Sequence, residues 1–252
     1  MEMVKSAQRV FEYLEYFARV QRAVSVAEIA GHHGYPSSSV SAVMRTMVSL
    51  GYLSYDASAR TYLPTARLPF LVGWIGSRLY DGDAVRAIMR ELSEATGETI
   101  LLGAQNGVRA QYIEIVDATG PVRLHAEAGS FRSMPHTAVG LVLLSRYKPA
   151  ELGAVIRRIN NEQPDATRHV DLAQVWEAIA AIQREGWCLS LDGVVPGAGA
   201  VAMLLPGHLG VTPLAIGISS VDTVLLAQQD RFIVLMRRVI ARHTEQHGHI
   251  AD

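Results

Sequence analysis

Hydrophobic positions recur at helical spacing along the first fifty residues. Residues 4–20 carry apolar side chains three or four positions apart, which predicts an amphipathic helix. Its apolar positions are Val10, Phe11, Leu14, Phe17 and Ala18. Ser25 and Glu28 have the spacing of a capping box, so a second helix is expected to begin there. A third helix is expected over residues 37–50, because Pro36 suits a helix start.

A hairpin is predicted directly after these helices. Two short β-type runs, residues 52–55 and 60–63, are joined by a polar tip at 56–59. Three short helices followed by a hairpin have the layout of a winged helix-turn-helix. In that arrangement the third helix enters the DNA major groove and the wing lies along the phosphates. Residues 1–64 are therefore expected to form a DNA-binding domain.

The next segment, 65–80, is predicted to be a connecting helix. Its apolar surface, which includes Trp74, is wider than a solvated linker would expose, so we expect it to pack against another subunit. We also expect it to couple the domains on either side. The predicted domains are then 1–64, the connecting and dimerisation helix 65–80, and an effector-binding domain at 81–252.

The remainder alternates between helical and β-type patterns. Helices are predicted at 83–96, 137–146, 149–160, 171–185 and from Asp222 or Thr223 to about His247. Strands are predicted at 99–105, 110–116, 122–127, 187–191, 199–205 and 213–221, with a loop at 128–135. Asn106-Gly107 is a strong hairpin turn between the first two strands. The second domain is therefore expected to be α+β, with an antiparallel sheet and flanking helices.

Composition and charge narrow the class of protein. The net charge is −1, but residues 1–80 carry eight basic and five acidic side chains, which suits a DNA-binding first domain on an acidic remainder. The one cysteine, Cys188, excludes an intramolecular disulfide framework and favours a reducing cytoplasm. Charged side chains interrupt the apolar residues near the N-terminus, so we expect no secretory signal. No apolar stretch reaches the ~20 residues of a membrane helix, so we expect a cytoplasmic protein with no membrane association.

Sequence motifs of common enzyme classes do not occur. There is no Gly-x-Ser-x-Gly elbow, no Gly-x-x-x-x-Gly-Lys phosphate loop and no His-Glu-x-x-His zinc motif. His243 and His247 lie four residues apart, but such terminal histidines more often face solvent than bind a metal. We expect no catalytic residues, no cofactor and no metal.

Short motifs in both halves resemble one family of regulators. The first half contains Val4-Lys-Ser-Ala-Gln-Arg-Val10, Ser25-Val-Ala-Glu-Ile-Ala30, Pro36-Ser-Ser-Ser-Val40, Val48-Ser-Leu-Gly-Tyr-Leu53 and Tyr62-Leu63. The second contains His136-Thr-Ala-Val-Gly140, Gly186-Trp187, Gly199-Ala-Val-Ala202, Pro206 and Ala215-Ile-Gly-Ile-Ser219. In this order and spacing they resemble the IclR family of bacterial transcriptional regulators. The resemblance implies a winged helix-turn-helix, a connecting helix and a GAF-like effector-binding domain, in dimers that often pair into tetramers on operators of catabolic operons.

The candidate DNA contacts lie on the third helix and the wing. They are Ser37, Ser38, Ser39, Ser41, Arg45 and Arg60. Serines at a helix start bond phosphates or base edges and arginine pairs with guanine, although serines there also simply favour the helix start and Arg60 can be a solvated turn residue. The family commonly has basic residues where this chain has Ser37 and Ala42, so we expect a shallower salt dependence of DNA binding.

The candidate effector site follows from the resemblance. The family binds the ligand's carboxylate or carbonyl at N–H groups of the helix that starts at the His136 motif, which places Thr137, Ala138 and Val139 in the site. The opposite wall is expected from Ser190, Ala198, Ala200, Gly217 and Ser219. These small residues either leave a cavity or only allow close packing. If they form the wall, its size and low polarity favour a larger, partly aromatic acid.

These expectations combine into a ligand-responsive transcriptional regulator. Its partners would be double-stranded operator DNA, a small organic acid and further copies of itself, as a homodimer or a dimer of dimers. Repression and activation use the same residues, so the sign of regulation stays open. The alternative is a sensor or enzyme domain whose winged helix mediates only protein contacts.

Overall fold

The computed structural model describes residues 3–72, 82–120, 126–209 and 211–247 of the chain. The chain divides into two compact units, Met1–Gly76 and Ser77–Asp252. Each unit buries a hydrophobic core of its own. Each can therefore be treated as a domain.

The first unit is three helices followed by a two-stranded hairpin. Its elements are α1 (Lys5–Val20), α2 (Val26–His33), α3 (Ser37–Ser49), β1 (Leu53–Asp56), β2 (Thr61–Pro64) and a helix α4 described over residues 67–72. Each of the first three helices contributes a completely buried residue to the shared core of this unit. These residues are Tyr13, Ile29 and Met44. The hairpin is antiparallel, with Tyr55 opposite Tyr62. This is the predicted winged helix-turn-helix layout.

The predicted capping box at the start of α2 forms only in part. The hydroxyl of Ser25 accepts the backbone N–H of Glu28 at 3.2 Å, as a helix cap should. The carboxylate of Glu28, however, does not return to the cap but accepts hydrogen bonds from Arg22 and from the Tyr16 hydroxyl. The Glu28 carboxylate therefore links α2 to α1 and to the turn between these two helices. At the other end Gly34, with φ of 68°, ends α2 in the left-handed conformation that glycine adopts without strain.

The second unit is built on a six-stranded sheet in which every neighbouring pair is antiparallel. The strand order is β5-β4-β3-β8-β7-β6. The strands are β3 (Thr99–Asn106), β4 (Arg109–Val116), β5 (Phe131–Ser133), β6 (Cys188–Leu191), β7 (Ala198–Leu204) and β8 (Leu214–Val221). The helices are α5 (Gly82–Thr96), α6 (Ala138–Leu144), α7 (Pro149–Glu162), α8 (Leu172–Glu185) and α9 (Asp222–His247). This is the predicted α+β class.

Side-chain alternation along the central strands separates two cores. Ile100 and Leu102 of β3 point into the core formed with α5 and α9, whereas Leu101 between them points into the core formed with α6, α7 and α8. The helices therefore cover both faces of the sheet. Helix α6, the shortest of the helices just named, lies over β7 and β8 on the second face.

One predicted strand lies mostly outside the described residues. A strand was expected over residues 122–127 and a loop over 128–135. Residues 121–125 lie outside the described residues, and Ala126 and Glu127 are not in a strand. The expected loop, however, contains the edge strand β5, which pairs with β4. Gly129, with φ of 84°, turns the chain there, which a helix or strand pattern does not reveal.

The predicted connecting segment is described only at its beginning. Residues 67–72 are helical, while the rest of the predicted segment 65–80, including Trp74, lies outside the described residues. Throughout the described ranges, no helix combines the length and apolar character needed to span a bilayer.

Candidate ligand cavity and nucleic-acid interface

A cavity of about 340 Å³ lies in the second unit, between the start of α6 and the sheet. It is lined by Leu101, Tyr112, Ala126, Arg132, His136, Thr137, Ala138, Ser190, Gly193, Val194, Val195, Ala198, Gly199, Ala200 and Ser219. Its volume falls in the range of small-molecule sites, and most of its lining is apolar with a few polar groups. It is therefore suited to a small ligand with an apolar body.

Six of the eight residues predicted for the effector site line this cavity. They are Thr137, Ala138, Ser190, Ala198, Ala200 and Ser219. Val139 and Gly217 are not in the lining: Val139 lies on α6, and Gly217 lies on β8 beneath it. A Cβ atom on Gly103 would come within 2.5 Å of one Val139 methyl, and a Cβ atom on Gly217 within 3.3 Å of the other. The two glycines leave room for the Val139 side chain, so α6 packs closely on the sheet.

Among the lining residues that the sequence analysis did not predict, Arg132 on β5 is the one with a full side-chain charge. Its Nη1 donates to the Phe131 carbonyl at 2.9 Å, and its guanidinium carbon lies 5.3 Å from the centre of the Tyr112 ring. Its Nε is buried and has no hydrogen-bond partner in the described part of the chain. The sequence analysis placed Arg132 in a predicted loop at 128–135 and therefore gave it no role in the site. The available signal was its position four residues before His136, the first residue of the motif assigned to the site.

Arg132 is the charged side chain in the described lining of the cavity near neutral pH. No acidic residue is among the described residues that line it. Burial lowers the pKa of His136, and the positive charge of Arg168 lowers it further, so the neutral ring is favoured. Burial raises the pKa of the Tyr112 phenol, although the nearby Arg132 opposes this. The cavity is therefore electropositive and matched to an anion.

The hydroxyl groups of the cavity are already engaged with the protein. Thr137 caps α6, since its hydroxyl accepts the N–H of Gly140 at 3.2 Å and donates to the Ser133 carbonyl at 2.9 Å. Ser219 donates to the Gly199 carbonyl at 2.9 Å. Ser190 makes a longer contact of 3.4 Å with the His136 carbonyl. Ser190 is thus the hydroxyl that is most easily redirected to a ligand.

The loop between β6 and β7 closes one side of the cavity. Val194 and Val195 line it with one side of their side chains and are about half exposed on the other. A Cβ atom on Gly193 would clash with the carbonyl oxygen of His136. Glycine is therefore required at residue 193 for the loop to lie against the start of α6.

In the first unit, α3 presents the predicted DNA-contacting residues on one side. Ser37, Ser38 and Arg45 are exposed, and Ser39 and Ser41 are partly buried. The opposite side of α3 is buried in the core of the unit through Val40, Met44 and Met47. The helix is thus held by its apolar face with its polar face outward, as a recognition helix requires.

Arg60 is exposed on the turn of the hairpin, which is held by its own hydrogen bonds. The Asp56 carboxylate accepts the N–H groups of Ser58 and Ala59 at 2.8 and 3.2 Å, and bonds from the Ser58 hydroxyl and these N–H groups lower the pKa of Asp56. Arg60 itself has φ of 54°, an uncommon conformation for a residue with a side chain. The turn therefore fixes where Arg60 leaves the backbone.

Other arginines of this unit contact neighbouring side chains. Arg9 lies over the Tyr35 ring, Arg19 bonds His32, Arg22 pairs with Glu28 and Arg67 lies over the Tyr52 ring. Within the described ranges no ion pair includes Arg45 or Arg60. These two guanidinium groups thus keep their charge available at the recognition helix and the wing.

Comparison with known proteins identifies the family. The family described as "Bacterial transcriptional regulator IclR C-terminal" matches residues 83–243, and "IclR helix-turn-helix domain" matches residues 6–57. The chain belongs to the IclR family. The predicted resemblance is confirmed, and with it a transcriptional regulator with a DNA-binding helix-turn-helix.

Individual IclR relatives are distant in sequence. The regulator KdgR of Dickeya chrysanthemi is 22% identical over 98% of this chain and 81% of its own length. KdgR of Escherichia coli is 24% identical over 86% of this chain and 82% of its own length. These relatives are named as transcriptional regulators.

Solved IclR structures share the fold. The IclR protein of Thermotoga maritima aligns with a TM-score of 0.66 at 17% identity, over 96% of this chain and 98% of its own. An IclR regulator from Alicyclobacillus acidocaldarius aligns with a TM-score of 0.61 at 20% identity, over 97% and 99%. The predicted two-part fold, a helix-turn-helix domain with an α+β effector domain, is confirmed.

Proposed function

We propose that this IclR regulator senses a small organic anion in the cavity of its second unit and changes its affinity for operator DNA in response. The observation that carries the proposal is Arg132, the cation of an apolar cavity, whose Nε is buried without a partner among the described residues. A buried guanidinium donor with no acceptor is costly unless a ligand supplies one. A carboxylate is the group that satisfies it best.

The anion's remaining contacts define its class. Ala138 opens α6, and the first N–H groups of a helix lack acceptors within that helix. The apolar walls come from both sides of the cavity, from Leu101, Ala126, Val194, Val195, Ala198 and Ala200. These walls favour an acid with an apolar or aromatic body over a small keto acid. The target would be a catabolic operon whose substrate or product is such an acid.

The first unit supplies the operator contacts in this proposal. Arg45 would pair with a base edge in the major groove and Arg60 with a phosphate beside it. Ser37, Ser38, Ser39 and Ser41 would bond phosphates or base edges from the start of α3. The functional parts are 1–64 for DNA, 65–80 for coupling and dimerisation, and 81–252 for the effector.

The chain would act as a homodimer, or as a pair of dimers, on a two-fold symmetric operator. Dimers of helix-turn-helix proteins read two half-sites at a spacing set by the protein's symmetry. A bound acid can shift operator binding only by its difference in affinity between two arrangements of the assembly. A ligand that binds both arrangements equally would leave operator binding unchanged.

The test is fluorescence anisotropy on DNA from upstream of the chain's own gene, with unrelated DNA as competitor. Tight, competitor-resistant binding that a panel of aliphatic and aromatic carboxylic acids alters is the expected result. Arg45→Ala should weaken specific binding by about 1–3 kcal/mol and leave binding to unrelated DNA almost unchanged. Equal, salt-sensitive binding to every DNA would refute operator recognition and favour a winged helix that contacts only proteins.

A further inference from the structure

The long helix α9 leaves a row of side chains unburied on its outer side. Leu226 and Val234 are 60% and 62% exposed, and Asp230 and Arg238 are exposed as well. The four follow one another at intervals of four residues, so they form one ridge along the helix, the α9 ridge. One face of α9 therefore exposes both apolar side chains and charges.

The two charges of the α9 ridge have no ion-pair partner among the described residues. No salt bridge there includes Asp230 or Arg238. By contrast, Arg231 and Arg237 of the same helix donate to backbone carbonyls of their own domain at 3.0 and 2.6 Å. Asp230 and Arg238 are separated by two helical turns, about 12 Å, so they do not reach each other.

The α9 ridge is complementary to a second copy of itself. In a two-fold contact, residue i of one copy meets residue j of the other, and j meets i. Antiparallel ridges centred on Val234 place Asp230 of each copy beside Arg238 of the other. Two ion pairs form in this way, and Val234 meets its own counterpart on the axis.

A groove borders the ridge on its own domain. It has a volume of about 460 Å³ and is lined by Ala95, Asp230, Arg231, Val234, Leu235 and Arg238. The ridge residues Asp230, Val234 and Arg238 therefore face open space on this side.

We propose that the α9 ridge is an antiparallel, two-fold interface between two copies of this chain. The proposal rests on the homo-oligomer proposed above and assigns one of its surfaces. It makes the chain itself the partner, because the charge order Asp230, Val234, Arg238 is its own complement when reversed.

Charge exchange tests the interface in the full-length protein. Asp230→Arg places arginine against arginine, and Arg238→Asp places aspartate against aspartate, so each variant alone should have half the assembled mass of the parent in sedimentation velocity. An equimolar mixture of the two variants restores opposite charges at both pairs and should return to the parent mass. Glu177→Arg, an exposed charge exchange on α8, is the matched control and should change nothing.

The outcomes decide between occupants of the ridge. A parent that sediments as a monomer, or single variants with unchanged mass, overturns the proposal. Single variants with half the mass whose mixture stays at half also overturn it, because the ridge then contacts a different surface of another copy rather than the same ridge. Operator binding measured on the same samples reports separately on the regulator function, which fails only if the parent itself does not recognise an operator.

A disulfide test gives a second, independent readout. Val234→Cys should form a dimer linked between copies under mild oxidation, because this position meets itself on the axis. Leu226→Cys, two turns away, should stay unlinked and is the matched control. The native Cys188 does not interfere, since it is buried and burial raises its pKa to about 12. Equal cross-linking of both variants, or of neither, would contradict the antiparallel register.

Discussion

Replacing Arg132 by methionine should separate ligand binding from the stability of the second unit. Methionine keeps an unbranched stem over the Tyr112 ring but removes the guanidinium. A buried donor with no partner costs about 1–3 kcal/mol, and this cost disappears. The losses are one hydrogen bond to the Phe131 carbonyl, worth about 0.5–1.5 kcal/mol, and a cation–π contact worth about 0.5–1 kcal/mol. The free energy of unfolding should therefore change by no more than about 2 kcal/mol in either direction.

Acid binding should respond much more strongly to the same substitution. A hydrogen bond to a charged group contributes about 1.5–3 kcal/mol, so the dissociation constant of a bound carboxylate should rise about 10- to 150-fold. The probe acids are benzoate and the members of the carboxylic acid panel that alter operator binding. Titration calorimetry on the parent and on Arg132→Met measures this difference directly.

Unfolding in urea, followed by tryptophan fluorescence, measures the stability side of the prediction. Trp176 and Trp187 pack against the two cores of the second unit and report on it. Arg109→Met is the matched control, because Arg109 lies on neighbouring β4, 5.9 Å from the Phe131 ring, and is exposed outside the cavity. A loss of 3 kcal/mol or more in Arg132→Met, or undiminished acid binding, would refute the assignment of Arg132 to the ligand.

Three further outcomes are expected. Gly140→Ala should destabilise the second unit by about 1–3 kcal/mol in urea unfolding, because the new Cβ clashes with the Met134 backbone; an unchanged midpoint would contradict this packing. Thr137→Ala should cost about 1 kcal/mol in the same assay through the lost cap of α6, with Thr137→Ser as the variant that retains it. Burial, and then the neighbouring charge of His32, lower the pKa of His33, so the unfolded chain binds the proton more tightly. The free energy of unfolding should therefore fall as the pH drops below about 6.5. This fall should be smaller in His33→Gln, and calorimetric melting curves recorded on either side of that pH measure both changes.

The pattern of the sequence was sufficient for elements whose signals are local. Helix α3 follows from the spacing of Val40, Met44 and Met47, because the 3.6-residue period of a helix places these three apolar side chains on one face. The order of short motifs along the chain likewise identified the family. Six of the eight predicted effector residues line the same cavity.

The misses share a different physical cause. Strand β5 is only three residues long and depends on its pairing with β4, so it cannot be predicted from the periodicity of the sequence. Arg132 enters the cavity only because that pairing points it there. Gly217 was assigned to the cavity wall because small residues line cavities and allow close packing equally well, and only the position of Val139 above it distinguishes the two.

By itself, then, the sequence determined the helices, the winged helix-turn-helix layout, the α+β class and the family, since all of these depend on periodicity and on motif order. The tertiary structure alone decided which of the small residues face the cavity and which lie beneath α6. It also decided that the Nε of Arg132 is buried without a partner among the described residues and that Asp230 and Arg238 share one exposed ridge. These properties depend on distances between residues far apart in the chain, and such distances are set by packing.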